Sequence, residues 1–544
     1  MKKYTTLAVA AALVLAACGD ERSTTDTTQA PATTVAATDA PPATDSMPAP
    51  ETTAGDDGVL NVPEDFATIQ AAVDAAQPGD LILIAPGTYH EAVNVVTDQL
   101  TIRGLDRNEV VLDGEFDLDN GIRILGAKGV AVENMTATNY TSNGFFWTGV
   151  DGYRGSYLTA YRTGDYGVYA FDSINGQLDH IYAAGSPDAG IYIGECYPCN
   201  AVVSDVVSEH NGLGYSGTNS GGNLIIINSV FRYNRAGVVP NSGSYELCYP
   251  ERDTTIVGNL VYSNNQGDTP AIDVALLAMG NGIVVAGGVL NDIERNQIWD
   301  HDKAGIALVP YLEDDPNDDL PTPEEWDVTC ADAKQQLPQD PGGAILWNAQ
   351  QNRVIGNEIS DSRQYDIILA SADLDVGTLG NCFAGNVMGA TAPTDLEALG
   401  PCDGTQATDW SAGAYDIITW LAEEHPPSAD WKTASLPALE PQENMPDAAT
   451  APANPATNVP APVDVDDTAD MGHKGTERIL LVEDQDIVRA LAKRILRRQG
   501  YEVFEASNGP EALEIADRLD LGLSAVKMRI ARAREEFREL YDQG

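Results

Sequence analysis

Three aromatic residues and two acidic residues recur at one spacing in the middle of this chain. Phe146, Tyr169 and Tyr192 follow one another at a constant interval, and Asp172 and Glu195 come three positions after the last two. When two carboxylates lie close together, the pKa of one rises above that of the other, so one can act as an acid and the other as a base. Two such carboxylates can also bind a calcium ion together. Aromatic rings on an outer face can stack on sugar rings. Alternatively, the two acidic residues are ordinary loop residues, and the three aromatic residues are present because aromatic side chains favour strands.

Further polar residues lie on the same repeats and could complete such a site. Arg162 and His210 could supply a clamp or a base, and Arg154, Asp165 and Asp188 lie nearby in sequence. Asn219 takes the position of Glu195 one repeat later. The candidate catalytic residues are therefore Asp172, Glu195, Arg162 and His210. The candidate substrate-binding residues are Phe146, Tyr169, Tyr192 and Asn219.

The elements that must position these residues are marked by a recurring interval. Ten positions are each followed by a run in which the residues one and three positions later are nearly always apolar, and seven of the nine intervals between them are nearly equal. Alternation repeated every ~23 residues predicts one strand per coil of a solenoid, whose stacked coils share a core. The markers are Gly121, Gly144, Gly167, Gly190, Gly214, Gly237, Gly282, Gly305, Gly343 and Asp366.

A second strand column runs in phase with the first and places one polar residue between apolar neighbours. Its frequent asparagines predict a ladder of stacked side-chain amides. The polar positions are Asn134, His180, Asp205, Ser229, Asn259, Asn296 and Asn357.

These repeats resemble the right-handed parallel β-helix family that includes pectate lyases, polysaccharide epimerases and NosD-like periplasmic proteins. Residues 62–95 resemble the cap helix and first coil that open many such proteins. The resemblance implies an all-β, right-handed parallel β-helix over residues 59–400. The string YGVYAFD, residues 166–172, resembles an Asp/His-containing string of alginate-type epimerases but lacks its histidine.

Composition limits the partners of this chain. It has 31 basic and 82 acidic residues, a formal net charge of −51. This charge excludes nucleic acid as a partner of the main body, and an anionic glycan would need a cation bridge or a basic patch.

The start of the chain reads as an export signal followed by a lipid attachment site. Two lysines and a short apolar stretch precede Leu15-Ala16-Ala17-Cys18, which resembles the lipobox of bacterial lipoproteins. We expect a lipoprotein signal peptide over residues 1–18, lipidation of Cys18 and a disordered tether over residues 19–58. The protein would then be anchored in the cell envelope outside the cytoplasmic membrane, with no other membrane contact.

Six cysteines remain after Cys18, and an even number in an exported protein predicts disulfides. Cys382 and Cys402 flank the end of the solenoid and form a plausible pair. We expect Cys248 to bond to Cys196 or Cys199.

An acidic insertion follows Tyr311 and offers one candidate metal site. Asp315, Asn317 and Asp319 alternate as calcium ligands do, although the insertion lacks the glycine and glutamate of an EF-hand loop. Calcium is the only cofactor that the sequence suggests.

The end of the chain changes in composition and resembles other families. Residues 401–440 are expected to form a C-terminal cap with one helix, and residues 441–475 a linker. Residues 476–518 resemble the first half of a response-regulator receiver domain, a truncated α/β fragment that ends before the phosphoacceptor aspartate. Residues 519–544 resemble the end of a sigma-factor region 4 helix. We expect no signalling role for either fragment.

Two classes of function fit these features. The first is binding, with or without processing, of a polysaccharide or cell-envelope glycan by a monomeric lyase, epimerase or glycosidase. The second is a non-catalytic accessory scaffold of the NosD-like type. An enzyme would place the aromatic and acidic residues in an open groove, whereas a scaffold would leave them scattered or buried.

Overall fold

The computed structural model divides the chain into two units, residues 1–459 and 460–544. Stacked coils of parallel strands make up most of the described part of the first unit. The structure describes residues 58–313, 330, 344–371, 379–405, 423–453, 478–482 and 502–506. The strands confirm the parallel β-helix predicted for residues 59–400.

Each coil contributes strands to three outer surfaces, which we call faces 1, 2 and 3. Face 1 is an 11-stranded sheet of Val93–Val95, Ile122–Leu125, Phe145–Thr148, Val168–Phe171, Ala189–Gly194, Leu213–Thr218, Ala236–Asn241, Asn281–Ala286, Ala304–Val309, Tyr365–Leu369 and Thr391–Ala392. Face 2 consists of Val59–Val62, Leu81–Ile84, Thr101–Gly104, Ile174–Asp179, Ala201–Ser204, Gly221–Ile227, Arg252–Val257, Asp292–Glu294, Arg353–Ile355 and Cys382–Ala384. Face 3 consists of Gly87–Tyr89, Val110–Asp113, Tyr182–Ala184, Val207–Glu209, Val230–Arg232, Leu260–Tyr262, Gln297–His301 and Glu358–Ser362. Lys128–Thr138 and Asp151–Tyr161 run through faces 2 and 3.

Glycine recurs at the marker positions because neighbouring coils approach too closely for a side chain. A Cβ atom on Gly144 would lie 2.7 Å from the carbonyl oxygen of Gly167, and one on Gly167 would lie 2.6 Å from that of Gly190. Both distances are shorter than van der Waals contact, so only glycine fits. Apolar side chains such as Phe145 and Val168 point into the shared core beside them.

The prediction made from the Gly343 marker was wrong. Gly343 lies outside the described residues, and the run that follows it does not join face 1. Ile345–Trp347 pairs antiparallel with Tyr311–Glu313 instead, and Tyr365–Leu369 stacks directly on Ala304–Val309. The run therefore closes the insertion after Tyr311 rather than forming a coil of its own.

The polar column contains a true asparagine ladder, but over fewer residues than predicted. Asn259 donates to the side-chain oxygen of Asn296 (3.0 Å), and Asn296 donates to that of Asn357 (2.9 Å). Asn134, His180 and Asp205 fall one position earlier, where the backbone turns with positive φ. A shift of one residue changes the direction of the side chain, so these three residues do not belong to the ladder.

Within the described ranges, three short helices accompany the strands. Helix α1, Ile69–Ala75, caps the first coil as predicted, and the Thr68 side chain accepts a hydrogen bond from the amide of Ala71 (3.1 Å). Helix α2, Asp273–Ala278, lies in an insertion whose apolar residues pack on face 1. Helix α3, Leu396–Leu399, follows the last coil.

We call residues 423–453 the strap. These residues pack along the coils, whereas the sequence predicted a cap followed by a linker. The strap runs back along the coils in a non-helical conformation, held by arginine side chains. Arg235 donates to the carbonyl of Pro426 (2.7 Å), Arg162 to that of Trp431 (2.9 Å), and Arg103 to that of Ala451 (2.7 Å). The backbone carbonyls find donors on the coils, so a Pro/Ala-rich sequence is ordered here without forming a core of its own. The predicted cap helix falls mostly outside the described residues.

The second unit is described only at two strands. Arg478–Val482 pairs in parallel with Glu502–Ala506. Residues 519–544 lie outside the described residues.

Disulfides close three loops of the first unit. Cys382 bonds to Cys402, as predicted. The other prediction was wrong, because Cys196 bonds to Cys199 and Cys248 bonds to Cys330. The Cα atoms of Cys196 and Cys199 lie 4.8 Å apart across a tight turn, which is within disulfide range, and this leaves Cys248 for Cys330 in the insertion.

Candidate active site

The predicted aromatic column exists on face 1, and its exposure falls along the β-helix axis. Phe146 pairs with Tyr169 on the next coil, and Tyr169 with Tyr192 on the one after. Two polar residues precede them in the same column, Asn94 and then Arg123. Asn94 is exposed, and the side chain of Arg123 is 34% exposed. Phe146 and Tyr169 are partly buried, and Tyr192 is 1% exposed. The column is therefore open only over the earlier coils.

The rings form a stack in which the central ring is covered on both sides. The centroid of Tyr169 lies 4.7 Å from that of Phe146 on the preceding coil and 4.3 Å from that of Tyr166. Tyr166 leans toward the following coil, where its ring contacts Tyr192 at 4.8 Å. Phe146 is therefore the ring at the earlier end of the stack, with Arg123 as its partner on the preceding coil, whereas both faces of Tyr169 are occupied.

The loop of residues 243–251 covers the later part of the predicted site. The Tyr192 hydroxyl donates to the carboxylate of Glu246 (2.6 Å). The Asn219 amide donates to the carbonyls of Gly243 (2.5 Å) and Glu246 (2.7 Å), and its side-chain oxygen accepts from the amide of Gly243 (3.1 Å). Tyr192 and Asn219 therefore hold this loop in place and are not exposed for substrate binding.

Glu195 is also part of this loop attachment, which corrects its predicted pairing with Asp172 in an open groove. Its carboxylate accepts a hydrogen bond from the amide of Leu247 (3.2 Å), and its side chain is buried. Asp172 does occupy the equivalent place on the preceding coil, since its amide donates to Gly194 just before Glu195 (3.1 Å). The two acids are neighbours, but the loop encloses one of them.

Arg162 and His210 lie away from this end of face 1. Each follows a face 3 strand, at the turn before face 1 begins, so the Val168–Phe171 strand, about 13 Å long, separates Arg162 from Asp172. Arg162 donates to two carbonyls of the strap, those of Trp431 and Ala434. Burial lowers the pKa of His210, whose ring lies 5.6 Å from that of Tyr233. Neither residue joins the predicted constellation.

A different carboxylate pair lies beside the ring stack, at the start of the same two strands. Asp165 and Asp188 are neighbours on adjacent coils, since the amide of Asp188 donates to the carbonyl of Asp165 (3.2 Å). Burial raises the pKa of both carboxyl groups, and the charge of Asp165 raises the pKa of Asp188 further. A hydrogen bond with the Tyr166 hydroxyl partly opposes this rise in the pKa of Asp188. Asp188 therefore holds its proton to higher pH than Asp165.

From the sequence, Asp165 and Asp188 were named as nearby residues, but they were not predicted to form a pair. Their separation along the chain equals that of Asp172 and Glu195, so the repeat alone signals their proximity. Tyr166 packs with apolar residues of the insertion that carries helix α2, and the amide of Ile272 in this insertion donates to the carbonyl of Pro187, next to Asp188 (3.0 Å). Trp431 of the strap packs at Gly164, next to Asp165. None of these contacts is visible in the repeat.

This arrangement can transfer protons. Asp188, which retains its proton longer, suits a general acid, and Asp165 suits a general base. Within the described ranges, no group of three or more histidine, cysteine or acidic residues is placed to hold a metal ion. The predicted calcium ligands Asp315, Asn317 and Asp319 lie outside these ranges.

Comparison with known proteins supports the fold. The family model for the right-handed β-helix region matches residues 143–311. These residues include the coils of Phe146, Tyr169 and both carboxylate pairs. The coils of the first unit therefore have the fold of a right-handed parallel β-helix.

Several solved structures are similar to part of this chain. The mannuronan C-5 epimerase AlgE4 A-module of Azotobacter vinelandii is 17% identical, with a TM-score of 0.38, over 61% of this chain and 92% of that chain. An alginate lyase of Paenibacillus sp. is 17% identical, with a TM-score of 0.35, over 44% and 87%. A PL6 family polysaccharide lyase of Pseudopedobacter saltans is 12% identical, with a TM-score of 0.36, over 68% and 97%. Similarity of this extent establishes no shared activity.

A short stretch of the chain is similar to a curated regulator. It is 49% identical over 41 residues to the transcriptional regulatory protein SrrA of Staphylococcus aureus. The match spans 8% of this chain and about a sixth (17%) of that protein. The response-regulator resemblance therefore rests on a fragment.

Proposed function

We propose that this β-helix protein binds an uncharged polysaccharide along the open part of face 1 and hydrolyses it with Asp188 and Asp165. The observation that carries the proposal is this carboxylate pair, with raised pKa values, beside a stack of aromatic rings. Glycoside hydrolysis needs one carboxyl group that is protonated and one that is ionised. The aromatic stack ends at the partly buried Phe146, and a sugar ring would pack on this ring beside Arg123.

The chemistry follows from the different pKa values of the two groups. Asp188 donates its proton to the glycosidic oxygen as the bond to the sugar carbon breaks. Asp165 accepts a proton from the water that attacks this carbon, so one water is consumed for each bond cleaved. Tyr166 orients Asp188 through their hydrogen bond.

An uncharged substrate fits the electrostatics better than a polyuronate does. The chain carries a net charge of −51, and desolvation and the neighbouring carboxylate account for the upward pKa shifts of Asp165 and Asp188. A lyase or epimerase acting on a polyuronate would benefit from a cation beside the sugar carboxylate. Arg123 is the cation in the open column, and its guanidinium already donates to Asn94 (2.9 Å) and lies 3.8 Å from the carboxylate of Asp119.

The test is a reducing-end assay on a panel of neutral polysaccharides. We expect Asp188→Asn to lower turnover by about a hundredfold or more, as the loss of a general acid does. Asp172→Asn, which changes a carboxylate on the same coil as Asp165, is the matched control and should stay within about threefold of wild type. Equal losses in the two variants would disprove the assignment of Asp188.

A non-catalytic scaffold is the second candidate. It is favoured by the loop of residues 243–251, which binds the side chains of two predicted substrate-binding residues, Tyr192 and Asn219, and of one predicted catalytic residue, Glu195. This candidate predicts neither binding nor turnover for every polysaccharide in the panel.

We also propose that Cys18 anchors the protein outside the cytoplasmic membrane. The proposal depends on the lipobox-like sequence, which lies before the first described residue. Within the described part of the chain, no helix has the length and apolar character needed to span a membrane. Cys18→Ser should move the protein from the membrane fraction to the soluble fraction, and an unchanged fractionation pattern would contradict lipidation.

A further inference from the structure

A second aromatic group lies on face 3, away from the candidate active site. Tyr262 and Trp299 are paired residues on neighbouring coils, with ring centroids 4.3 Å apart and ring planes within 7° of parallel. Tyr233 meets Tyr262 edge-on at 5.8 Å. All three side chains are partly exposed. The group is therefore a surface feature rather than part of the core.

The stack stops one coil beyond Trp299, where two small residues follow. The partner of Trp299 on the next coil is the exposed Ser360, and the pairing of Glu358 with Val387 places Gly389 after it. Because Tyr262 covers one face of the indole, the other face is directed toward the coil of Ser360. Neighbouring coils are about 4.8 Å apart, so a flat ring above Ser360 would continue the stack.

Polar groups surround this position and limit what can bind there. The Arg232 guanidinium donates to Glu209 (2.6 Å) and to the Tyr262 hydroxyl (2.8 Å), which fixes the rings from one side. Next to Trp299 in the chain is the exposed Asp300, whose carboxylate accepts a hydrogen bond from the Ser263 hydroxyl (2.7 Å), and Asp302 forms an ion pair with Arg363 (2.9 Å). The acidic groups disfavour an anionic ligand, and their oxygens can accept hydrogen bonds from sugar hydroxyls.

We propose that a single uncharged pyranose ring packs on the open indole face of Trp299 above Ser360, as a second polysaccharide-binding site separate from the cleavage site. The C–H face of a pyranose is apolar and flat enough to stack on an aromatic ring, while its hydroxyl groups point outward to the polar rim. The inference rests on the proposed function for the class of ligand, but it uses none of the same residues. Its role is to retain the polysaccharide while face 1 acts on it.

The experiment compares the two sites in the full-length chain carrying Asp188→Asn, which prevents turnover. Laminarihexaose, cellohexaose, xylohexaose and maltohexaose are titrated by calorimetry. Ser360→Trp should fill the position of the sugar and weaken binding at this site at least tenfold. Trp299→Ala should have the same effect, and Ser360→Ala, which leaves the position open, should bind as the parent does. Phe146→Ala tests the face 1 site in parallel.

The outcomes separate this inference from the proposed function. Binding that is lost with Ser360→Trp and Trp299→Ala but retained with Phe146→Ala supports the second site, even if face 1 binds nothing. Binding lost only with Phe146→Ala supports face 1 and overturns the second site. The sugar site is also overturned if no hexasaccharide binds. It is overturned as well if the sole effect of Ser360→Trp is the loss of a concentration-dependent dimer, measured by ultracentrifugation.

Discussion

The two coils that carry Tyr169 and Tyr192 have a pair of carboxylates at each end of their face 1 strands. Asp165 and Asp188 stand at the beginning and Asp172 and Glu195 at the end, and the two pairs have the same spacing in sequence. The strap packs at the first end and the loop of residues 243–251 at the second. The first pair is held as two interacting acids with raised pKa values, whereas in the second pair the carboxylate of Glu195 accepts a hydrogen bond from the backbone amide of Leu247 (3.2 Å). Identical spacing therefore leads to different chemistry, according to what packs over each end.

Removing the strap should have the largest effect on this difference. Truncation after residue 422 leaves the buried Arg103, Arg107 and Arg235 without their strap carbonyls, and we expect the free energy of unfolding to fall by at least about 5 kcal/mol. Truncation after residue 459 retains the strap and should change stability by less than about 0.5 kcal/mol. Chemical denaturation of both truncated proteins measures this, and similar losses would show that the strap is not what stabilises the coils.

The pH dependence of turnover should distinguish the two ends next. Turnover falls as the pH drops through the pKa of Asp165, when the base becomes protonated, and also as the pH rises through the pKa of Asp188, when the acid loses its proton. Because burial raises both pKa values, both limbs should lie above the ordinary aspartate pKa of about 3.9. Each limb changes by about tenfold per pH unit. Asp172→Asn should not change the dependence of turnover on pH. A changed dependence would mean that the acid–base pair is Asp172 and Glu195 instead.

Asn219→Ala should weaken the loop end without affecting the acid pair. The substitution leaves the carbonyls of Gly243 and Glu246 and the amide of Gly243 without their partner, at a cost of about 2 kcal/mol of stability. Asn175→Ala is the control, because Asn175 has the same left-handed backbone conformation as Asn219 but makes more exposed contacts, to Asp151 and Asn200. Its loss of stability should be smaller by about 1 kcal/mol. Denaturation curves report the difference, while turnover of the folded protein should stay within about twofold. Equal stability of the two variants would contradict the role of Asn219 in holding the loop.

The smallest effect concerns stability against pH. The folded pKa of Asp188 is raised, so its contribution to stability is fully present below the unfolded pKa of about 3.9 and is lost as the pH rises through the folded pKa. Between pH 5 and pH 8, wild type should therefore lose more unfolding free energy than Asp188→Asn, by more than about 1.4 kcal/mol. Asp172→Asn should follow wild type. Parallel curves for wild type and Asp188→Asn would mean that Asp188 is not held protonated by the fold.

Much of the fold could be predicted because each coil repeats the same local requirement. The close approach of Gly144 to the next carbonyl oxygen makes the glycine marker visible in sequence, and the Thr68 cap makes helix α1 visible. The Gly343 marker was misleading because an insertion can end in the same apolar pattern as a coil. The pairing of Cys248 with Cys330 was missed because the two residues are 82 apart and no repeat relates them.

The sequence by itself determined which residues are neighbours along the axis of this β-helix, because one repeat interval returns the chain to the same place on the next coil. It placed Phe146 beside Tyr169, Asp165 beside Asp188 and Asp172 beside Glu195. Only the tertiary structure decided which of these neighbours are exposed, buried or tied to another segment. That choice depends on the strap, on the insertion that carries helix α2 and on the loop of residues 243–251, whose contacts join positions far apart in the chain and follow no period.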